Sequence, residues 1–217
     1  MKITTAVLGA GVKRFIPWQF GVDYDIVGRG SAQPVWDEQL DVRDILRNQK
    51  GTSTEWIIIS TGIFMSFLFE EFFGVVEGLG SGDVVVRALG GWENKVTVTT
   101  PRDIGRLTAE IVFWEPRVVD QVVYTAGETV SYGRVAEIVE GVVGEKVRRE
   151  VWSVGMLEEA LRRDPGDVVQ RYRVVFAVGK GVSWGVGKTF NVRNGIEVQD
   201  VKGYAEENLP KKIAGKA

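Results

Sequence analysis

Two stretches near the start of the chain decide its fold: residues 11–21, GVKRFIPWQFG, and residues 55–62, EWIIISTG. Each contains a run of apolar, β-branched and aromatic residues that predicts a strand, and the apolar residues between them follow a helical spacing. A strand, a helix and a second strand make a βαβ unit, the building block of a parallel sheet. Ligands of such sheets bind beyond the carboxyl ends of the strands. We therefore expect the functional site at residues 17–21 and 60–64.

The composition excludes several classes of function. The 217 residues include no cysteine and no histidine. Disulfides, thiol nucleophiles, zinc–thiolate sites, imidazole metal ligands and Ser-His-Asp catalysis are therefore excluded. Acid–base chemistry would have to use carboxylates, lysine, tyrosine or a cofactor. We predict no metal site.

Charge and hydropathy limit the partners of the chain. The net charge is −2 and the basic residues are scattered, which predicts no direct contact with nucleic acid. No apolar run approaches the length of a membrane span, and the N-terminal residues lack the pattern of a signal peptide. A hydrophobic content of 44% is typical of a globular chain with a sizeable core. We expect a cytoplasmic protein.

Between the two deciding stretches, residues 35–49 have the pattern of an amphipathic helix. Val35, Gln39, Val42 and Leu46 fall on one stripe at helical spacing, with Ile45 beside them. Gln39 is therefore a polar residue on a face that is expected to be buried. Its amide either satisfies a neighbouring backbone group or contacts a ligand.

The rest of the chain alternates strands and helices. Most of the five phenylalanine rings between residues 63 and 73 are expected to be core. Thr100, Pro101 and Asp103 make a helix start, with the threonine as N-cap. The remaining pattern predicts a hairpin at 77–92, strands at 95–99, 121–125 and 146–151, helices from Ser131 to Gly144, at 156–163 and at 168–178, and then a loop-rich end. The sequence thus predicts an α/β chain with a small C-terminal lobe.

Three short motifs that suggest nucleotide binding fail at one position each. The glycines at 9 and 11 lack their third partner, because Arg14 stands where a dinucleotide fingerprint needs glycine. The loop at 78–82 has Asp83 at the corresponding position, and Gly187-Lys188-Thr189 is preceded by Val182 where a P-loop begins with glycine. In addition, none of the tyrosines has a lysine four residues later, so the usual Tyr-x-x-x-Lys proton donor of short-chain dehydrogenases is absent.

Residues 10–23, AGVKRFIPWQFGVD, resemble NmrA-like and isoflavone-reductase-like proteins, particularly fungal ones. Three further runs agree with that family in the same order: residues 42–46 with 55–62, residues 96–107, and residues 121–138. The resemblance covers most of the chain. It implies an atypical short-chain dehydrogenase fold, here the C-terminal part of a Rossmann-type parallel sheet with helices on both faces, plus a small α+β substrate lobe. Residues 1–62 would be the remainder of the NAD(P)-binding domain. Residues 63–217 would be mainly the substrate lobe, with Rossmann strands and helices returning at about 96–143.

The resemblance also implies a function. It suggests an NADP(H)-dependent oxidoreductase that acts on a small aromatic or secondary-metabolite substrate, or else a non-catalytic NADP(H)-sensing regulator or scaffold. A remnant without activity is a third alternative. By the resemblance, the cofactor would contact Pro17, Gln19, Phe20, Thr61, Gly62 and Phe64, and the substrate would contact Phe67 and Trp92.

Two departures from the family leave the activity open. Family members begin with a strand and a GxxGxxG loop that holds the cofactor pyrophosphate, and here Met1 falls within the later helix that precedes the fourth strand. The reductases also carry a lysine where this chain has Gln39, and an amide cannot donate a proton as a general acid. We therefore expect NADP(H) binding to be weak or lost, and Gln39 to stand at the catalytic position without that proton.

The missing strands also predict an open sheet edge, because a parallel sheet is normally covered on both faces and at its edges. We expect the chain to be an incomplete gene product or fragment, or to need a second copy of itself or another protein to cover that edge.

Overall fold

The computed structural model describes residues 1–51 and 54–214. The chain begins with helix α1 (Lys2–Gly9) and strand β1 (Arg14–Phe15), followed by helices α2 (Tyr24–Val27) and α3 (Val35–Arg47) and strand β2 (Glu55–Ser60). Strands β1 and β2 pair in parallel, which confirms the predicted βαβ unit.

The first strand is shorter than the sequence predicts. The pattern covers residues 13–20, but the ladder with β2 ends at Phe15. Pro17 has no backbone N–H to donate, so regular pairing stops near it. Only an isolated parallel bridge between Gly21 and Ser60 continues the contact.

The remaining elements form two further sheets and the helices that cover them. In chain order they are β3 (Ile63–Phe64), β4 (Val76–Glu77), β5 (Val85–Leu89), β6 (Lys95–Thr99), α4 (Pro101–Phe113), β7 (Gln121–Tyr124), β8 (Glu128–Ser131), α5 (Tyr132–Val143), β9 (Arg148–Trp152), α6 (Val154–Arg163), α7 (Val168–Val178), α8 (Phe190–Arg193) and α9 (Val201–Ala214), with 3₁₀ turns at Met65–Phe69 and Val186–Lys188.

Three three-stranded sheets organise these elements. The order β1-β2-β7 makes an all-parallel sheet, and the orders β3-β6-β8 and β4-β5-β9 make mixed ones. Helices α5 and α7 pack against β5, α6 packs against α7, and α9 packs against α5; we call the sheet β4-β5-β9 with these four helices the lobe. The hairpin predicted at 77–92 is the antiparallel pair β4 and β5. Parallel strands with helices packed against them confirm the α/β fold class.

Local sequence signals set the helix ends where they are expected. The Thr100 hydroxyl accepts a hydrogen bond of 3.1 Å from the Asp103 N–H, which caps α4. Ser131 caps α5 in the same way, and Gly144 ends it in the left-handed conformation with φ of 84°. The inward residues predicted for α4, which are Ile104, Leu107 and Ile111, are all buried.

Two expectations about helices are wrong. In α3, Val35 is 42% exposed and Gln39 and Ile45 are half-buried, so only Val42 and Leu46 of the predicted stripe are buried. Trp36, Leu40 and Arg43 are buried as well. The helix packs on two sides, so its buried surface is wider than one stripe. The C-terminal end is helical rather than loop-rich: α9 spans Val201–Ala214 despite Gly203 and Pro210 and packs against α5.

Both outer strands of the parallel sheet are edge strands: among the described residues, β1 and β7 each have a hydrogen-bonded strand neighbour only in β2. The edge of β1 is the one that the sequence predicts to be open. The prediction that a second copy or another protein covers this edge stays a prediction, as does the cytoplasmic location. Within the described ranges, none of the helices combines the length and apolarity needed to cross a membrane.

Candidate functional site

A cleft of about 310 Å³ lies at the carboxyl ends of β1 and β2, where the sequence predicts a site. The loop after β1 and helix α3 form one wall, the turn after β2 forms the floor, and α7 of the lobe forms the opposite wall. The lining residues are Trp18, Phe20, Gly21, Val22, Tyr24, Val35, Trp36, Gln39, Gly62, Ile63, Phe64, Phe67, Tyr172 and Phe176.

The lining carries no charged side chain among the described residues. Its polar side-chain groups are the Gln39 amide, the hydroxyls of Tyr24 and Tyr172, and the indoles of Trp18 and Trp36. Every other side chain of the lining is apolar. An uncharged, largely aromatic cleft with a few polar groups suits a planar, neutral ligand.

Trp36 organises the aromatic walls. Its ring makes edge-to-face contacts with Tyr24 of α2, at a centroid distance of 5.7 Å, and with Tyr172 and Phe176 of α7, at 5.8 and 6.4 Å. Each such pair contributes about 0.5–1.5 kcal/mol beyond the burial of area. Trp36 is 4% exposed, and through these contacts it packs helix α3 against helix α7 of the lobe.

The mouth of the cleft is also aromatic. Phe64 and Phe67 meet edge to face at 5.6 Å, and Phe67 contacts Phe72 at 5.2 Å. Trp18 lies on the rim with 81% of its surface exposed. An exposed tryptophan beside a cleft gives a ligand a further ring to stack on.

The backbone and the side chain of Gln39 have different surroundings. Its backbone carbonyl accepts a hydrogen bond of 2.8 Å from the Gln19 side chain. Its own side chain lines the cleft. Of the two roles that the sequence left open for the Gln39 amide, this position favours contact with a ligand.

A buried arginine supports the cleft from below. Arg43 is 0% exposed, and its guanidinium donates to the Gln19 side chain at 2.9 Å, to the Asp25 carboxylate at 2.6 Å and to the Ser60 hydroxyl at 3.4 Å. The guanidinium also lies 5.0 Å from the centre of the Tyr24 ring. Because Gln19 holds the Gln39 carbonyl, Arg43 connects the floor of the site to its α3 wall.

The electrostatics of this cluster follow from its contacts. The hydrogen bonds and charge of Arg47, together with Arg43, lower the pKa of Asp25 to about 2, against an opposing effect of burial. Burial raises the pKa of Tyr24 to about 12, although the Arg43 charge acts in the opposite direction. Tyr24 is therefore neutral, and Asp25 ionised, throughout the physiological pH range.

Asp23 fastens the loop after β1 to strand β7. Its carboxylate accepts hydrogen bonds from the Ile26 N–H at 3.3 Å, which caps α2, and from the Tyr124 hydroxyl at 2.6 Å. Burial and this contact raise the pKa of Tyr124. Asp23 thus ties the end of this loop to both α2 and β7.

Of the site residues predicted from the sequence, five lie on the cleft: Phe20, Gln39, Gly62, Phe64 and Phe67. Gly62 has φ of 76°, and a Cβ there would clash with the Thr97 carbonyl. A glycine is therefore required at position 62 because β6 approaches the backbone closely there.

The other four predicted residues lie off the cleft. Gln19 is 1% exposed and its amide is used by Arg43 and Gln39. Thr61 is fully buried, and its carbonyl accepts a hydrogen bond from the Thr99 hydroxyl. Pro17, two residues before Gln19, is buried as well. Trp92 packs against the lobe core, with the Arg149 guanidinium 5.6 Å from its ring centre. Three of these side chains are missing from the lining because neighbouring residues of a loop point in opposite directions. Trp92 is missing because it lies elsewhere in the lobe.

Nine lining residues are not among the predicted site residues. Trp18, Gly21 and Ile63 at least fall within the stretches where the site was expected, whereas six residues do not: Val22, Tyr24, Val35, Trp36, Tyr172 and Phe176. Tyr24 and Trp36 stand close to the predicted stretch, and a wider apolar face on α3 would have included Trp36. Tyr172 and Phe176 come from a helix more than 100 residues further along the chain, and no local pattern connects them to the strand ends.

The lining fits only one end of a nicotinamide dinucleotide. A nicotinamide ring is planar, and the cleft offers it aromatic walls and the Gln39 amide. The phosphates of the same cofactor require cations or a helix N-terminus, and no charged side chain lines the cleft within the described ranges. Those ranges also contain no group of three or more acidic residues arranged to hold a metal ion.

A second cavity, of about 450 Å³, follows strand β7 and is lined by Trp114, Tyr124, Lys188 and Phe190 among others. It runs along the side of the strand and contains none of the predicted site residues. We therefore take the smaller cleft at the strand ends as the candidate site.

The chain is similar to known proteins along nearly its whole length. The model of the NmrA-like family matches residues 1–179. An NmrA-like family domain-containing oxidoreductase of Gibberella moniliformis is 47% identical over 212 residues, which are 97% of this chain and 68% of that protein.

Solved structures agree in fold. An isoflavone reductase superposes with a TM-score of 0.76 at 16% identity, covering 95% of this chain and 69% of that one. A leucoanthocyanidin reductase–NADPH complex from Vitis vinifera gives 0.73 at 18% identity, covering 96% and 72%. An NADPH-dependent quinone oxidoreductase from Escherichia coli gives 0.70 at 16% identity, covering 94% and 70%. With the family match over most of its length and a relative at 47% identity, the chain belongs to the NmrA-like family.

Proposed function

We propose that this protein is an NADP(H)-dependent oxidoreductase that acts on a small, neutral, aromatic or secondary-metabolite substrate. The observation that carries the proposal is the uncharged aromatic cleft at the carboxyl ends of β1 and β2. The 47% identical relative is described as an oxidoreductase, and two of the similar structures are NADPH-dependent or NADPH-bound enzymes.

The residues of the cleft would share the work of binding. Phe20, Gly62 and Phe64 follow the strand ends and would hold the nicotinamide end of the cofactor, which supplies a hydride when reduced. Phe67 and the α7 wall would hold the substrate and exclude water. The phosphates of the cofactor have no cationic partner on this lining, so we expect the affinity for NADP(H) to be low.

A non-catalytic NADP(H)-sensing role is the second candidate, and Gln39 favours it. The side chain lies on the cleft at the position of the family lysine, and an amide can hydrogen-bond a ligand oxygen but cannot deliver a proton. A sensor needs the binding surface without the proton donor, and this cleft has that combination.

Thermal unfolding of the purified chain tests cofactor binding directly. We would compare the midpoint without ligand, with millimolar NADPH, and with reduced nicotinamide mononucleotide, which lacks the adenosine half. A ligand at about 100 times its dissociation constant adds roughly 2.7 kcal/mol, a rise of several degrees for a chain of this size. Similar shifts with both nucleotides would support nicotinamide recognition by the cleft. No shift with either would refute cofactor binding by this chain.

Substitution Gln39→Lys separates the enzyme from the sensor. Oxidation of NADPH by the unmodified protein with any member of a panel of aromatic carbonyls would rule out the sensor. Turnover that appears only in Gln39→Lys would show that the chain retains every other part of the machinery. The control is Asn48→Lys, which adds the same charge at the exposed end of α3. Nucleotide binding without turnover in all three proteins would favour the sensor.

A further inference from the structure

We infer that Tyr172 is a specificity-determining residue that selects ligands carrying an oxygen acceptor, because its hydroxyl can donate a hydrogen bond into the cleft. The inference rests on the proposed function, since it concerns the ligand of the same cleft. It assigns a role to a residue from α7, the wall supplied by the lobe, which no motif in the sequence connects to the site.

The position of Tyr172 is fixed by packing. Its ring meets Trp36 edge to face at a centroid distance of 5.8 Å, and Trp36 is held in turn by Tyr24 and Phe176. Tyr172 itself is only partly buried and lines the cleft. A rigid ring with an accessible edge presents its hydroxyl at a constant place, so little entropy is lost when a ligand binds it.

The chemistry of this hydroxyl leaves its proton for a ligand. Burial raises the pKa of Tyr172, and the neighbouring Trp36 side chain acts against that rise. An indole N–H can only donate, so Trp36 can approach the oxygen of the Tyr172 hydroxyl but cannot accept its proton. The hydroxyl keeps one proton of its own to donate. At neutral pH Tyr172 is therefore a neutral donor.

The other polar groups of the lining are less selective. Tyr24 is 7% exposed, and its hydroxyl abuts Gly21, where an added Cβ would clash with it. The Gln39 amide both donates and accepts, so it binds oxygen acceptors and N–H or O–H donors alike. The indoles of Trp18 and Trp36 also donate, but Trp18 lies on the rim with 81% of its surface exposed and Trp36 is only 4% exposed. Among these groups Tyr172 combines a place on the wall of the cleft with partial exposure and a donated proton.

A matched pair of neutral aromatic probes tests this assignment without cofactor or turnover. The probes are 2-acetylnaphthalene and 2-isopropenylnaphthalene, which have the same shape but carry an oxygen and a CH₂ group at the same place. Dissociation constants are measured by calorimetry for the unmodified protein, for Tyr172→Phe, for Gln39→Leu, and for the control Tyr204→Phe. Tyr204 is a residue of α9 that stacks on Phe69 and does not line the cleft.

We expect the preference for 2-acetylnaphthalene over its isostere to fall about three- to tenfold in Tyr172→Phe, the effect of one lost hydrogen bond, with binding of the isostere unchanged. Tyr204→Phe should keep the preference of the unmodified protein. An unchanged preference in Tyr172→Phe overturns the inference and leaves the proposed function standing. A preference that disappears in Gln39→Leu instead would assign the role to Gln39. Failure of both probes to bind the unmodified protein refutes the proposed function and the inference together.

Discussion

Replacing Arg43 with methionine should destabilise the protein and loosen the wall of the cleft. Arg43 is 0% exposed and its guanidinium bonds Gln19, Asp25 and Ser60. Methionine keeps the unbranched stem and removes every one of these donors. The substitution therefore isolates the contribution of the polar head from that of packing.

The magnitude follows from what each partner loses. Gln19 is 1% exposed, so its amide oxygen would remain buried without a donor, at a cost of about 1–3 kcal/mol. Asp25 keeps two hydrogen bonds from Arg47 and part of its hydration, and so adds little. Release of the guanidinium from an apolar site offsets a fraction of this loss. The net decrease in the free energy of unfolding should be about 1–2 kcal/mol, or roughly 2–8 °C in the midpoint.

Denaturant and thermal unfolding of Arg43→Met, Gln19→Leu and the double variant measure this effect. Because the two side chains act on each other, the double variant should lose less than the two single variants combined, by at least about 1 kcal/mol. Arg29→Met is the matched control: Arg29 lies in solvent and pairs with Asp41 and Asp44, and no comparable change is expected.

Two results would refute this reasoning. An Arg43→Met protein as stable as the unmodified one would mean that the buried cation contributes nothing once its desolvation is counted. Additive losses in the double variant, within about 0.5 kcal/mol, would mean that Arg43 does not act through Gln19 and has no connection to the Gln39 wall.

Three further predictions concern other elements. The lowered pKa of Asp25, about 2 in the fold, stabilises the protein above the ordinary carboxyl pKa, and this contribution disappears as the pH falls from 4 towards 2. Since Asp25 is more than a third exposed, we expect about 1 kcal/mol after screening, and Asp25→Asn should lose it at pH 7 and show a flatter acid unfolding profile. Gly62→Ala should cost at least about 2 kcal/mol in unfolding titrations, because φ is 76° and the Cβ meets the Thr97 carbonyl; Gly91→Ala, with open space around it, should not. Thr100→Ala should remove the cap of α4 and lower the free energy of unfolding by about 1 kcal/mol. Thermal unfolding followed by circular dichroism measures this loss, and an unchanged midpoint would mean that the cap contributes nothing to stability.

Local signals in the sequence predicted much of the architecture. The apolar runs and the helical stripe between them predicted the parallel pairing of β1 with β2, since strand periodicity and connection type are properties of neighbouring residues. Caps at Thr100 and Ser131 set helix starts within a residue, because each cap bonds a group only three positions away. The site was expected at the strand ends by the same reasoning, and the cleft lies there.

Where the local signals conflicted, the prediction was wrong. Helix α9 contains Gly203 and Pro210, which predict a loop, yet Val201, Ala205 and Leu209 are buried against the rest of the lobe. The packing of that face outweighs the low propensity of its glycine and proline. The buried charge of Arg43 was missed for a related reason, because an arginine in a helix is normally on the exposed face.

The sequence by itself determined the α/β class, the βαβ unit and the place of the site, because these depend on periodicity and on groups a few residues apart. Only the tertiary structure decided which side chains line the cleft. Trp36 and Tyr172 meet across 136 positions of the chain, and Gln19 turns inward to Arg43 rather than towards a ligand. Periodicity gives the face on which a residue lies, but the partner it meets there depends on how distant elements pack.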